Sequence, residues 1–231
     1  WDRSRVYARL GSSVRSILIA PREGFIAAIK AADRRARLGR RPAEGIASYG
    51  LAAAGGAALL LLWLKLGGLL ELRSADSADF RWGYVAGAVF SGALLGVLAQ
   101  LLWGAVGSAT ARRLGGDAHP RDLRLVWGAA ALPQVVALTF LLPLDLVIVG
   151  RETFTTDRLG DPVDTAWAAL SIATAVSLAA WSLWIFVRGV QVASGIGTVR
   201  AIVGTIAATL CLALVVGSAA IGAAALAGAA G

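Results

Sequence analysis

The chain has no methionine, one cysteine and one histidine among its 231 residues. A single thiol, Cys211, excludes an internal disulfide framework and a cysteine-built metal site, and leaves the redox compartment open. Its expected role is that of a small buried apolar residue. The lone histidine, His119, falls short of the three or four ligands a metal site needs. Only Asp117 and Asp122 stand near it, so it reads as a turn residue beside Pro120. With neither histidine nor methionine in any long apolar stretch, haem ligation by those residues is excluded. No nucleophile–base pair is legible, which argues against an enzyme, and no cofactor or metal is expected. Because the sequence opens at Trp1 without a methionine, residues ahead of Trp1 are expected to be missing. A cleaved signal peptide suits the basic, polar first forty residues poorly.

What the chain has in abundance is apolar length. Hydrophobic residues make up 58% of it, and its mean hydropathy of +0.72 is far from that of a soluble domain. Five stretches are long enough to cross a bilayer, at about 43–70, 82–111, 125–150, 165–187 and 199–230. About twenty apolar residues suffice, since a helix rises about 1.5 Å per residue across about 30 Å of hydrocarbon. Backbone groups in lipid must be satisfied within the segment, so these read as helices. The expectation is an all-α polytopic membrane protein: a basic arm over residues 1–42 and one bundle of five transmembrane helices over 43–231.

Charge gives the bundle a direction. Eleven Lys and Arg lie in residues 1–45. With five spans, the N-terminal side collects seventeen basic residues and the opposite side five, Lys65 being counted among the latter as a residue of the first loop. By the positive-inside rule the N-terminus is cytoplasmic and the C-terminus outside, as in a bacterial inner membrane. Trp63, Trp82, Trp103, Trp127, Trp167 and Trp181 fall mostly toward span ends, where an indole N–H stays wet.

Within the arm, residues 12–38 read as two short helices interrupted at Pro21. Phe25, Ile29, Ala32 and Ala36 recur on one face, and Lys30, Arg34 and Arg37 gather on the other. Such a helix is expected to lie flat at the interface, apolar face in lipid and basic face toward anionic headgroups or a protein partner. No aromatic interleaving accompanies the basic run, so nucleic acid is not an expected partner.

Three segments carry a family likeness: "SILIAPREGFIAAI", "RRLGGDAHPRDLRLVWGAAALPQVV" and "WSLWIFVRGVQVASGIGTVRAIVGTIAA". Their Pro-x-x-x-Phe, Gly-Gly turn with a following mid-helix proline, and closing glycine hairpin resemble, in order and spacing, those of bacterial-type Yip domains (the Rab-GTPase-interacting protein superfamily). The resemblance implies a five-helix membrane bundle with a cytoplasmic N-terminus. Eukaryotic members bind prenylated Rab GTPases, but their Asp-Leu-Tyr-Gly-Pro type signature is absent here, so that role is not implied.

Few polar residues interrupt the spans. Apart from Glu44 at the very start of the first stretch, Asp145 is the one acid inside a span, and a carboxylate at such a depth is a candidate ion or proton site. It lies about 8–9 Å below the outer end of its span by helix rise, where it could pair with Arg81 or Arg151 or be hydrated. Gln100 and Gln134, at similar depth on neighbouring spans, are expected to bond each other. Pro133 and Pro143 should kink the third span. Small residues form packing stripes at four-residue spacing: Gly83, Gly87 and Ser91; Ala88, Gly92 and Gly96; Ser218 and Gly222. With flat small-residue faces, a basic arm and no reactive cluster, the chain reads as a non-catalytic scaffold or accessory subunit that packs against other membrane proteins or itself. The alternative is a small transporter or channel built on Asp145 and the kinked third span.

Overall fold

The computed structural model describes residues 15–37, 43–69, 82–150, 153 and 162–211. All regular structure among them is helical. After a short helical segment at 15–19 come α1 (Pro21–Arg37), α2 (Ala43–Leu69), α3 (Trp82–Arg113), α4 (Pro120–Ala130) and α5 (Leu132–Val136). A π-helical turn (Ala137–Leu141) leads into α6 (Leu142–Ile148), followed by α7 (Pro162–Ser194) and α8 (Thr198–Cys211). Four stretches are long and apolar enough to cross a membrane: Ala47–Leu66, Val85–Arg113, Pro120–Ile148 and Pro162–Ser194. The chain therefore has the helices of an integral membrane protein. The fifth expected span is represented by α8, a shorter apolar helix; the remainder of that stretch, with Ser218 and Gly222, lies outside the described residues.

The described residues divide into two compact units, 15–34 with 101–126 and 187–211, and 35–100 with 127–186. In the first unit, α3 ends in a tight glycine cap. Gly115 adopts φ +82°, the Gly116 N–H donates to the Ala111 carbonyl at 2.9 Å, and the Gly115 N–H to that of Arg112 at 3.1 Å. This is the paired bonding of a Schellman motif, which satisfies carbonyls that the helix end leaves open. The Asp117 N–H then donates to the carbonyl of Ser194 at 3.1 Å, tying the turn to the end of α7. Pro120 opens α4, a position where its missing N–H costs nothing, and the His119 carbonyl accepts from Asp122 and Leu123. His119 itself is exposed.

The apolar face of α1 lies against protein, which corrects the expectation that it is buried in lipid. Phe25 is fully buried, beside Gly189 of α7, with Val126 of α4 against the same glycine. Ala32 is buried and Ile29 partly so. The Arg121 guanidinium donates to the Ala32 carbonyl at 3.3 Å. Helical spacing placed Phe25, Ile29 and Ala32 on one face, the side chain of Ala36 lying outside the described residues, but the absence of a side chain at Gly189 makes the seat into which Phe25 fits. Lys30 is exposed; the side chains of Arg34 and Arg37 lie outside the described residues.

In the second unit, α2 and α3 approach through their backbones. A methyl group added at Gly56 would fall on the backbone of Gly92 and Gly96, and one at Gly96 on that of Ala52 and Gly56. The expected stripe Ala88–Gly92–Gly96 is thus a helix contact inside the unit, with dispersion between close backbones as its source of stability. The second stripe on α3 behaves differently. Gly83 and Gly87 are exposed, and a methyl group there would meet no described atom within 4 Å. Leu61, Val85 and Ala88 form a buried apolar cluster with Leu138, Leu142 and Leu146 packed against it.

Candidate functional site

The third apolar span of the sequence breaks twice, each time at a proline. Pro133 carries no N–H, and around it the chain turns at Ala131, whose carbonyl accepts from both Gln134 (2.9 Å) and Val135 (3.1 Å). Ahead of Pro143 the helix widens into the π-helical turn, where the Leu142 N–H reaches back to the Ala137 carbonyl. A proline ring crowds the carbonyl four residues before it, and the wider turn relieves that crowding at Thr139. The expected kinks are therefore a turn and a π-helical segment. Two residues past Pro143 stands Asp145.

Asp145 is 2% exposed, and its partner is Lys65, 7% exposed. The Lys65 Nζ lies 2.5 Å from Asp145 Oδ2 and donates to Ser171 Oγ at 2.7 Å. The Trp167 indole N–H donates to Asp145 Oδ1 at 3.1 Å. The Thr153 hydroxyl lies 3.4 Å from the Asp145 backbone carbonyl. Three helices meet at this pair: α2 brings the ammonium, α6 the carboxylate, and α7 the hydroxyl and indole one turn apart. An isolated charge in such surroundings costs several kcal/mol, and pairing plus hydrogen bonding to both carboxylate oxygens offsets it.

This corrects two expectations. Lys65 is a buried residue of α2, not a loop residue, and Asp145 pairs with it rather than with Arg81 or Arg151, which lie outside the described residues. The signal for Lys65 was present in its spacing. Ala57, Ala58 and Leu61 are all buried, and Lys65 continues their face by one turn of helix. Its nearness to the span end concealed that register. Trp167 and Ser171 complete the site; in the sequence Trp167 has only the position of a span-end indole, and nothing in the pattern marks Ser171.

A crevice of about 30 Å³ opens beside the pair, lined by Lys65, Asp145, Leu61, Leu141 and residues of the π-helical turn. That is room for a water molecule or so. The two glutamines do not share a bond as expected. Gln100 is fully buried and donates to Ser48 Oγ of α2 at 2.6 Å. Gln134 lies 3.5 Å from Ser182 Oγ of α7. Each thus meets a serine on a third helix, because depth alone does not fix which way a side chain points around its helix. Cys211, expected to be buried, is exposed. Among the described residues no group of three or more His, Cys, Asp or Glu side chains is assembled.

Comparisons with protein families, curated proteins and solved structures return no match.

Proposed function

We propose that this chain is a non-catalytic accessory or scaffold protein that packs against another integral membrane protein. The observation that carries this reading is the contrast between the two small-residue faces of α3. One, at Gly92 and Gly96, is filled by the backbone of α2; the other, at Gly83 and Gly87, is open among the described residues. A face of that kind is poor at gripping lipid chains and good at receiving a second helix. The polar site agrees with a structural role. Asp145 is already neutralised by Lys65, both carboxylate oxygens are bonded, and the adjoining space holds no more than a small molecule the size of water.

The basic residues of the N-terminal side support an N-terminus in the cytoplasm and a fifth span that begins with α8 and ends outside, in a bacterial inner membrane. Moving Lys65 out of the first loop lowers the outer tally and strengthens that asymmetry. The resemblance to bacterial-type Yip domains accords with this topology and brings no activity with it.

The test is native purification in mild detergent with mass spectrometry of what accompanies the chain. A second integral membrane protein in fixed ratio, lost with Gly87→Leu, is the expected result. A lone monomer or a homodimer overturns the reading.

A second reading rests on the crevice itself. A buried carboxylate and lysine beside a π-helical turn is the arrangement a proton-coupled transporter would use. Asp145→Asn in reconstituted vesicles distinguishes the two: loss of a proton flux present in the wild type supports transport, and absence of any wild-type flux removes it.

A further inference from the structure

The face of α1 turned away from α4 and α7 continues the basic face of Lys30, Arg34 and Arg37 back toward the N-terminus. Arg22, Ile26 and Lys30 follow one another at four-residue spacing and are all exposed, so they share a face. In the segment just before, Arg15 and Ile19 are exposed as well. Ile19 keeps 69% of its surface and Ile26 37%, among the exposed large apolar side chains of the chain. Among the described side chains Glu23 is the one acid exposed beside them.

The depth of α1 follows from what Phe25 touches. Gly189 lies five residues before the end of α7, and Val126, packed on the same glycine, six residues after the start of α4. Both belong to helices long and apolar enough to span a membrane. At about 1.5 Å of rise per residue, α1 therefore crosses those helices about 7.5–9 Å inside their ends. Interfacial helices sit about 5–10 Å into the boundary between headgroups and acyl chains. Arg112 and Arg113 are exposed in the last turn of α3, and the turn that follows is tied to the end of α7 by the Asp117–Ser194 bond.

We propose that α1 and the segment before it form an interfacial anchor, in which Ile19 and Ile26 enter the acyl boundary and Arg15, Arg22 and Lys30 bind the phosphates of anionic lipid headgroups. Phe25 and the Arg121–Ala32 bond hold the helix against α4 and α7, which leaves the opposite side to face lipid. Charge complementarity selects the occupant: among the described side chains three exposed cations against one acid, alternating with isoleucines, suit an anionic leaflet and not a neutral one. The inference rests on the membrane-spanning helices alone and is independent of the docking face on α3.

The test uses the whole chain in nanodiscs of phosphatidylcholine with phosphatidylglycerol, followed by native mass spectrometry of the retained lipid. The wild type is expected to keep phosphatidylglycerol in preference to phosphatidylcholine. Each of Arg15→Gln, Arg22→Gln and Lys30→Gln should lower that preference about fivefold. Equal retention by wild type and the triple variant overturns the proposal, as does loss of a co-purifying protein with lipid retention unchanged. A nitroxide at Ile26→Cys in a Cys211→Ser background gives an independent reading. Accessibility to oxygen marks acyl-boundary depth and supports the anchor; accessibility to a water-soluble nickel chelate overturns it.

Discussion

Lys65 and Asp145 are each acceptable in the bundle only while the other is present. Removing one partner of a buried pair leaves an uncompensated charge, at a cost of about 3–5 kcal/mol, whereas replacing both with apolar residues of similar size is near neutral or stabilising. Lys65→Met is therefore expected to lower the unfolding free energy in detergent by that amount, and Lys65→Met with Asp145→Leu to recover most of it. A double variant no better than the single one would mean that the pair does more than neutralise itself. At this scale the sequence was legible in part. Asp145 stood out because a lone acid in an apolar run has few innocent explanations. Lys65 did not, because a lysine near a span end also reads as one that reaches for the headgroups.

Between elements, the approach of α2 and α3 depends on the absence of side chains. Gly96→Leu should force the helices apart and cost at least about 1–3 kcal/mol, seen as a lower melting temperature in detergent. Gly87→Leu, on the open face of the same helix, should stay within about 0.5 kcal/mol of wild type. Identical spacing gave both stripes in the sequence, and only the packing tells which is filled. The same holds for α1. Phe25→Ala removes the side chain that seats the helix and should cost about 3–5 kcal/mol of docking, read as faster amide exchange over residues 21–32 with exchange in α7 little changed. Its apolar periodicity was plain, but periodicity names a face and not the medium that covers it. Gln100 and Gln134 failed for a related reason: matched depth put them side by side, while rotation about the helix axes aimed each at a serine.

For the molecule as a whole, the long apolar stretches were the most legible feature, since bilayer thickness sets a length that composition either meets or does not. The proposed direction of insertion is checked with single cysteines in a Cys211→Ser background. Asp76→Cys should react with a membrane-impermeant thiol reagent on intact cells. Asp117→Cys, in the exposed turn after α3, should react only after permeabilisation. The reverse pattern would invert the topology and place the basic turn outside.

The π-helical turn at Ala137–Leu141 has a consequence for how this span can change. Such a turn holds one residue more than an α-helical turn, since its bonds close five residues back instead of four, as the Leu142 N–H does to Ala137. Each residue rotates the following chain by about 100°. Shortening the span by one residue within 137–141, together with Pro143→Leu, would straighten it into ordinary helix while leaving Asp145 pointed at Lys65. The same deletion in α2 between Leu61 and Lys65, where the helix is regular and has no wider turn to lose, would swing the ammonium about 100° off the face of Ala57, Ala58 and Leu61. The ion pair thus joins a helix that can lose one residue silently to a helix that cannot.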